Sequence, residues 1–273
     1  MTRQYLKLVV LALVFGAAVF GIKTTLGIDL RELDSLAIDA PMNPTAIAPD
    51  GVNQGAGGPQ LEGNLNLRSA THSVIVEILD RLEVRTGKKP VDVGYVPYDS
   101  SEHRYPWDNM TACWTVREQN VRSHIDRDDE SITFLDREKR PTADIEQACY
   151  IDTARIYDPW TGEVIDYSRS VDGATFPLDT EHITPWGEAW RSGAWKLDED
   201  QRRDAYNDPL NLVPVNPAVN RGQHSDHPFG QWDLPNESAI CFYATRVVQF
   251  KHKWGLSVWQ AEADAIRQTT SHC

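Results

Sequence analysis

Asp179, Glu181 and His182 stand within four residues of one another in the stretch LDTEHITPW (178–186). Neutral imidazole can take a proton from water near neutral pH, and carboxylate oxygens hold a hard divalent cation such as Mg²⁺. These are the parts that phosphodiester hydrolysis needs: a base for the water, and a cation for the charge that builds on phosphorus and the leaving oxygen. An acid beside a histidine is more often surface decoration, so the trio needs support from elsewhere in the chain. Asn211 and Asn220 follow, nine residues apart. The amide oxygen of Asn220 suits the same cation as Glu181. Asn211 can offer a carbonyl, from backbone or side chain, to hold the second nitrogen of His182 in one tautomer. The two neighbouring acids are expected to raise the His182 pKa, and a bound cation to lower it again.

Such residues act together only if the chain folds them together. Residues 176–183 read as a strand that ends in the acid–histidine pair. The segments GEAWRSGAW and DEDQRRDAYN read as short helices, and NLVPV (211–215) as a second strand. NPAVNRGQ then opens a helix, with Asn216 as a natural N-cap and Pro217 in the first turn. This strand–strand–helix order puts Glu181 and His182 at one strand's end, Asn211 on the next strand and Asn220 one turn into the helix. Upstream, 71–84 reads as a helix, 110–125 as a short strand or turn entering a helix, and 148–166 as two strands around DPWTG. Downstream, 236–255 has Asn236 at its start, Gly255 at its end, and Ile240, Tyr243, Val247, Phe250 and Trp254 on one stripe, which reads as core. Residues 257–268 form a further helix with a Ser257/Gln260 capping box. Asn207 reads as a cap or turn residue. The cations Arg191, Lys196, Arg202 and Arg203 read as a helical face near the site, while DREKR (136–140) and KHK (251–253) read as solvated surface.

The text EHITPW…NDPLNLVPVNPAVNRG resembles the HNH nucleases, the ββα-metal or His-Me finger fold. With HITPWGEAWRSGAW, the terminal CFYATRVVQFKHKWGLSVWQAEADAI, the CWTVRE element and the DPWTG turn, the chain is similar over roughly 93–273 to exported bacterial HNH endonucleases. These are related to the C-terminal nuclease module of modification-dependent restriction enzymes. The resemblance implies an α+β fold: a ββα-metal core, additional helices and a C-terminal helical hairpin. It implies that His182 is the general base, that Glu181 and Asn220 are metal ligands with Asp179 supporting them, and that Asn211 orients the base or ties the loop. Arg221 would reach a substrate phosphate; Arg191, from the cation cluster near the site and not from the resemblance, is a second expected phosphate contact. The implied cofactor is a divalent metal, Mg²⁺ first and Mn²⁺ as the alternative; the implied partner is nucleic acid, DNA ahead of RNA, cut with low sequence specificity. One departure is Gln223 where the family carries a lysine, a phosphate contact that His224 or His227 would partly replace. A zinc hydrolase built on His182, His224 and His227 is a weaker reading, since H-x-x-H at 224–227 lacks a helix with a glutamate base.

The rest of the sequence sets the compartment and limits the partners. MTRQYLK carries two cations ahead of fifteen uncharged residues, LVVLALVFGAAVFGI (8–22). That pattern fits a secretory signal or an uncleaved membrane anchor over 1–24. Residues 41–64 hold four prolines and five glycines, so 25–64 reads as a tether and 65–273 as the nuclease domain. The expected location is secreted or periplasmic. Four cysteines in an exported chain favour two disulfides with three connectivities open. The sequential one, Cys113–Cys149 and Cys241–Cys273, is expected, because the second bridge would pin the C-terminal hairpin. A net charge of −13 excludes a broadly basic surface, so any phosphate-binding face must be a local patch. That acidity supports the rival reading, a catalytically inactive exported binding protein on the same fold.

Overall fold

The computed structural model describes residues 69–87, 90, 94–110, 113–125, 131–143, 148–169, 178–224 and 226–273. The expected signal or anchor (1–24), the tether (25–64) and the boundary near Leu65 lie outside the described residues.

The chain opens with α1 (His72–Leu79), which buries Ile75, Ile78 and Leu79. The expected helix over 71–84 stops short. After Asp80 the chain turns, and β1 (Val84–Arg85) pairs in parallel with a strand near the C-terminus. Arg85 of this strand forms an ion pair with the buried carboxylate of Glu188. α2 (Val116–Arg122) begins at Thr115, whose hydroxyl accepts from the Glu118 backbone N–H at 3.3 Å, an N-cap of the usual kind. β2 (Thr133–Leu135), β3 (Pro141–Thr142), β4 (Tyr150–Tyr157) and β5 (Val164–Ser168) form an antiparallel sheet in the order β3-β2-β4-β5. Trp114, Val121, Ile151, Ile156 and Tyr167 fill the space between this sheet and α2.

The β4–β5 turn is DPWTG, as the sequence predicts. Asp158 is buried; its Oδ1 accepts from the Trp160 N–H at 2.8 Å, and its Oδ2 accepts from the Asn216 N–H at 2.9 Å. One side chain therefore closes the turn and ties it to the start of the helix that carries Asn220. Gly162 sits at φ +75°, and a Cβ there would meet the Asn236 side chain at 3.2 Å, so the turn needs glycine.

β6 (Asp179–His182) pairs antiparallel with β7 (Leu212–Val215), Glu181 opposite Val213 and His182 opposite Leu212. Between them lie α3 (Trp186–Arg191), a 3₁₀ turn at Ala194–Lys196 and α4 (Glu199–Tyr206), which starts on a complete Asp198/Gln201 capping box. After β7 comes the short helix α5 (Pro217–Val219), capped by the Asn216 side chain at 2.8 Å and continued as a π-helical segment over Asn220–His224. The strand–strand–helix order expected from the sequence is thus present, except that Asn211 closes a 3₁₀ turn (Pro209–Asn211) just before β7 rather than lying on the strand.

α6 (Ile240–Lys253) is the central helix, preceded by a 3₁₀ turn at Glu237–Ala239 and ending before Gly255 at φ +61°. Tyr243, Val247 and Phe250 of its predicted stripe are buried. β8 (Val258–Trp259) leads into α7 (Gln260–Thr269). The expected Ser257/Gln260 box does not form: the Ser257 hydroxyl donates to the Ser192 carbonyl at 2.9 Å, and Glu262 reaches back to the Trp259 N–H at 3.4 Å.

Lys251 departs from the reading of KHK as solvated surface, while His252 and Lys253 are exposed as expected. Lys251 is fully buried, with Nζ 2.6 Å from Glu262 Oε2, 3.5 Å from Glu188 Oε1 and 3.3 Å from Ser192 Oγ. Burial opposes ionisation of Glu188, but Lys251, Arg85 and Arg191 outweigh it and hold that carboxyl below its usual range. This buried ion cluster joins α3, which borders the site, to α6 and α7. The four cysteines pair as Cys113–Cys149 and Cys241–Cys273. Among the described residues no helix is long and apolar enough to cross a membrane.

Candidate active site

Asp179, Thr180, Glu181 and His182 all line one open cleft of about 570 Å³, together with Asn220 and Arg221. The far wall comes from a segment between β1 and α2 that supplies Tyr98, Arg104 and Trp107, while α2 supplies Arg117. That wall is fastened by hydrogen bonds: Trp186 Nε1 donates to the His103 carbonyl at 2.8 Å, and Asn207 Oδ1 accepts from the Asp108 N–H at 2.9 Å. Asn207 is thus the C-cap residue of α4 and a brace for the cleft.

His182 is buried, with its ring among Trp107, Trp186 and Tyr206. Its Nε2–H donates to the Tyr206 carbonyl at 2.8 Å. This assigns the proton to Nε2 and leaves the basic lone pair on Nδ1. Burial pushes the imidazole pKa down to about 4; the Tyr206 carbonyl opposes the shift and Arg104 adds to it. The expected rise from Asp179 and Glu181 is therefore not what the structure gives: desolvation dominates.

Asn211 is fully buried and does not touch the ring. Its Oδ1 accepts from the Thr184 N–H at 2.6 Å, its Nδ2 donates to the Thr184 carbonyl at 3.0 Å, and its backbone carbonyl accepts from Ile183 N–H at 2.8 Å. Asn211 fastens the turn that follows His182, and Tyr206 provides the carbonyl that holds the ring.

Across the strand, Asn220 Nδ2 donates to Asp179 Oδ2 at 3.1 Å and also bonds Glu181. Arg221 clamps Asp179 with two bonds, 2.8 Å from Nε and 2.6 Å from a terminal nitrogen. Glu181 is partly buried, its side chain 13% exposed, and desolvation pushes its carboxyl pKa up, with His224 and Asn220 opposing the rise and Asp179 adding to it. Its Oε1 lies 3.0 Å from His224 Nδ1. His224 is fully enclosed, so it offers nothing to a substrate phosphate. His182, His224 and His227 also face different partners: His227 Nδ1 donates to the His224 carbonyl at 2.9 Å, so no three-histidine zinc site is assembled.

A divalent cation fits the donors at Glu181 and Asn220. A partly buried carboxylate beside a second acid is relieved by positive charge, and a planar amide offers an oxygen as readily as its N–H groups. One carboxylate and one amide suit Mg²⁺, which keeps several waters. Among the described residues, three His, Cys, Asp or Glu ligand atoms come within 4.8 Å of one another at Cys241, His272 and Cys273, and both of those sulfurs are in the disulfide.

Arg191 is not at the cleft; its Nε bonds Glu188 Oε2 at 3.2 Å. Arg104 and Arg117 are cleft cations that sequence pattern did not single out. They come from segments distant in sequence, and only EHRYPW (102–107), with a cation between aromatics, carried a local hint.

Residues 125–269 match the family described as GmrSD restriction endonucleases, C-terminal domain. The chain belongs to this family. The GmrSD C-terminal match takes in β6, β7, α5 and both asparagines, and gives the chain a nuclease-type function in general. Tyr98, Arg104, Trp107 and Arg117 precede the matched residues. Over 108 residues the chain is 32% identical to an uncharacterized secreted protein of Arthroderma benhamiae, an alignment covering 37% of this chain and 52% of that protein. The chain thus spans about half the length of that curated relative. No solved structure matches it.

Proposed function

We propose that this protein is an exported, metal-dependent endonuclease that hydrolyses phosphodiester bonds of DNA, and of RNA as the lesser substrate, with low sequence specificity. The observation that carries the reading is the pairing of roles along β6. His182 has its Nε2–H committed to the Tyr206 carbonyl and a lone pair on Nδ1, while the adjacent Glu181 shares a cleft with the Asn220 amide.

In this reading Nδ1 of His182 accepts a proton from the attacking water. Because the imidazole is held neutral by burial, it is in its basic form at neutral pH. Tyr206 keeps the ring in that tautomer, and Asn211 fixes the turn that sets where the ring stands. Glu181 and Asn220 would hold Mg²⁺, or Mn²⁺ in its place. The bound cation supplies charge neutralisation at the phosphate and the leaving oxygen. Arg104 and Arg117 would take phosphate oxygens, and Arg221 would do so only by leaving Asp179. Three cleft arginines offset Asp179, Glu181 and Asp226, so the cleft does not carry the net negative charge of the rest of the chain, and Arg104 and Arg117 are the cations that would meet a phosphate.

Export rests on three supports: the basic and apolar N-terminus, the two disulfides, and a relative whose name calls it secreted. Whether 1–24 is cleaved or anchors the chain is a separate question for peptide mapping of the mature protein.

The testing experiment is conversion of supercoiled plasmid to nicked and linear forms by purified protein. Cutting with Mg²⁺ or Mn²⁺ that stops in excess chelator supports the proposal. Binding without cutting at every metal concentration favours the inactive binding protein instead.

A further inference from the structure

The π-helical segment Asn220–His224 delivers two side chains to the same strand. Asn220 reaches Asp179 and Glu181, and His224, four residues on, meets Glu181 from the core side. π-Helical turns often occur at functional sites because they re-aim side chains that an α-helix would place elsewhere.

His224 is unusual for a charged-capable side chain: no part of it is exposed, and it is boxed in by Trp160, Trp232 and Tyr243. Both ring nitrogens are engaged. Nδ1 is 3.0 Å from Glu181 Oε1, and Nε2 is 3.3 Å from the hydroxyl of Tyr243 on α6. Tyr243 is itself fully buried, and burial pushes its pKa well above 10. Its O–H can therefore donate to Nε2, which places the ring proton on Nδ1 and aims it at the carboxylate. The result is a chain of donors, Tyr243 to His224 to Glu181, that runs from the central helix to the cleft and engages one oxygen of Glu181.

We propose that His224 is a positioning residue for the metal-binding carboxylate, with Tyr243 fixing its tautomer. The inference rests on the reading of Glu181 as a metal ligand. His224 holds Oε1 of Glu181 from the core side while Asn220 bonds the same carboxylate from the cleft side, so the group cannot rotate freely and meets a cation in one orientation. Loss of such an outer partner typically costs 10–100-fold in metal affinity.

The test measures Mn²⁺ affinity directly, by electron paramagnetic resonance titration of the folded protein without substrate. Glu181→Ala, His224→Leu, His224→Asn and Tyr243→Phe are compared with the parent chain. His224→Leu is expected to weaken Mn²⁺ by roughly 10–100-fold. His224→Asn, whose amide N–H can stand where Nδ1–H stood, should recover most of the loss. Tyr243→Phe keeps the ring packing and removes only the hydroxyl, and should weaken Mn²⁺ by several-fold. If Glu181→Ala binds Mn²⁺ as the parent does, the ligand assignment itself fails. If Glu181→Ala loses the metal while His224→Leu and Tyr243→Phe keep parental affinity, the positioning role is overturned alone. A nitrogen directly bound to Mn²⁺ that disappears in His224→Asn would also overturn it, by making His224 a ligand. Should His224→Leu fail to fold, Tyr243→Phe still decides between these outcomes.

Discussion

Glu181 and Asn220 differ from His182 in what their loss should leave behind. Each would remove one donor to the cation while leaving the base in place, so Glu181→Ala and Asn220→Ala should lose activity at low metal and regain part of it at high Mn²⁺. Cleavage rate against metal concentration checks this, and a flat response in both variants would count against their role. A second prediction concerns His124, which is fully buried, donates from Nδ1 to the Asn120 carbonyl at 3.0 Å, and has an Nε2 with no protein partner. Burial pushes its pKa down to about 4, with the Asn120 bond opposing and Arg246 adding. The folded pKa lies below the unfolded value of ~6.5, so the unfolded chain binds the proton first. Stability attributable to this group is present above pH ~6.5 and is lost as pH falls to about 4, by about 3 kcal/mol at the acid end. Urea unfolding at pH 7, 5.5 and 4.5 should show that decline, and His124→Gln should make it shallower, the buried His182 carrying a like share over the same range. Equal slopes for the two proteins would remove His124 as the cause.

At the scale of elements, the site depends on how the turn after β6 is fastened. Asn211 clips the turn after β6 through three hydrogen bonds to Ile183 and Thr184. Asn211→Ala leaves the Thr184 N–H and carbonyl inside the protein without their partner, a cost of roughly 1–3 kcal/mol. It should also lower the cleavage rate at saturating metal, because His182 stands at the start of that turn. Thermal melts and single-turnover rates test both halves; an unchanged melt would contradict the clip. This part of the fold was legible in sequence because its signals are local: the DPWTG turn, Asn216 before Pro217, and a capping box at Asp198. What was not legible depended on distant partners. The end of the expected 71–84 helix is followed by β1, which pairs with Val258–Trp259 and sends Arg85 to Glu188, about a hundred residues away, and nothing near Arg85 shows either partner. The tautomer of His182 was expected from Asn211 and is set by Tyr206, since only the fold decides which carbonyl lies opposite the ring.

For the whole molecule, the two disulfides and the buried ion cluster hold the framework around the cleft. Cys241–Cys273 joins the start of α6 to the last residue, closing a loop of 32 residues. Removing it with a Cys241→Ala/Cys273→Ala pair should destabilise by roughly 4 kcal/mol on the loop-entropy account, read by urea unfolding. Lys251→Met would leave Glu262 and Glu188 buried around an uncharged side chain, and loss of one partner from a buried pair typically costs about 3–5 kcal/mol. Sequence could not expose Lys251, because KHK at a helix end is usually a solvated patch. Burial is a property of what packs against it. The same holds for Arg104 and Arg117, whose place on the cleft is set by a wall folded in from before the matched family region. The net charge of −13 also belongs to this scale, and under the proposed function would leave the cleft arginines as the groups that meet substrate phosphates. The central claim is that His182 is the base that makes this cleft hydrolytic. Its most direct test is single-turnover cleavage of labelled DNA at saturating Mg²⁺ by the parent chain and by His182→Ala, with Mn²⁺ binding measured on both. The account predicts metal binding within a few-fold of parental and a rate lower by ~10²–10⁴-fold, and near-parental cleavage by His182→Ala would contradict it.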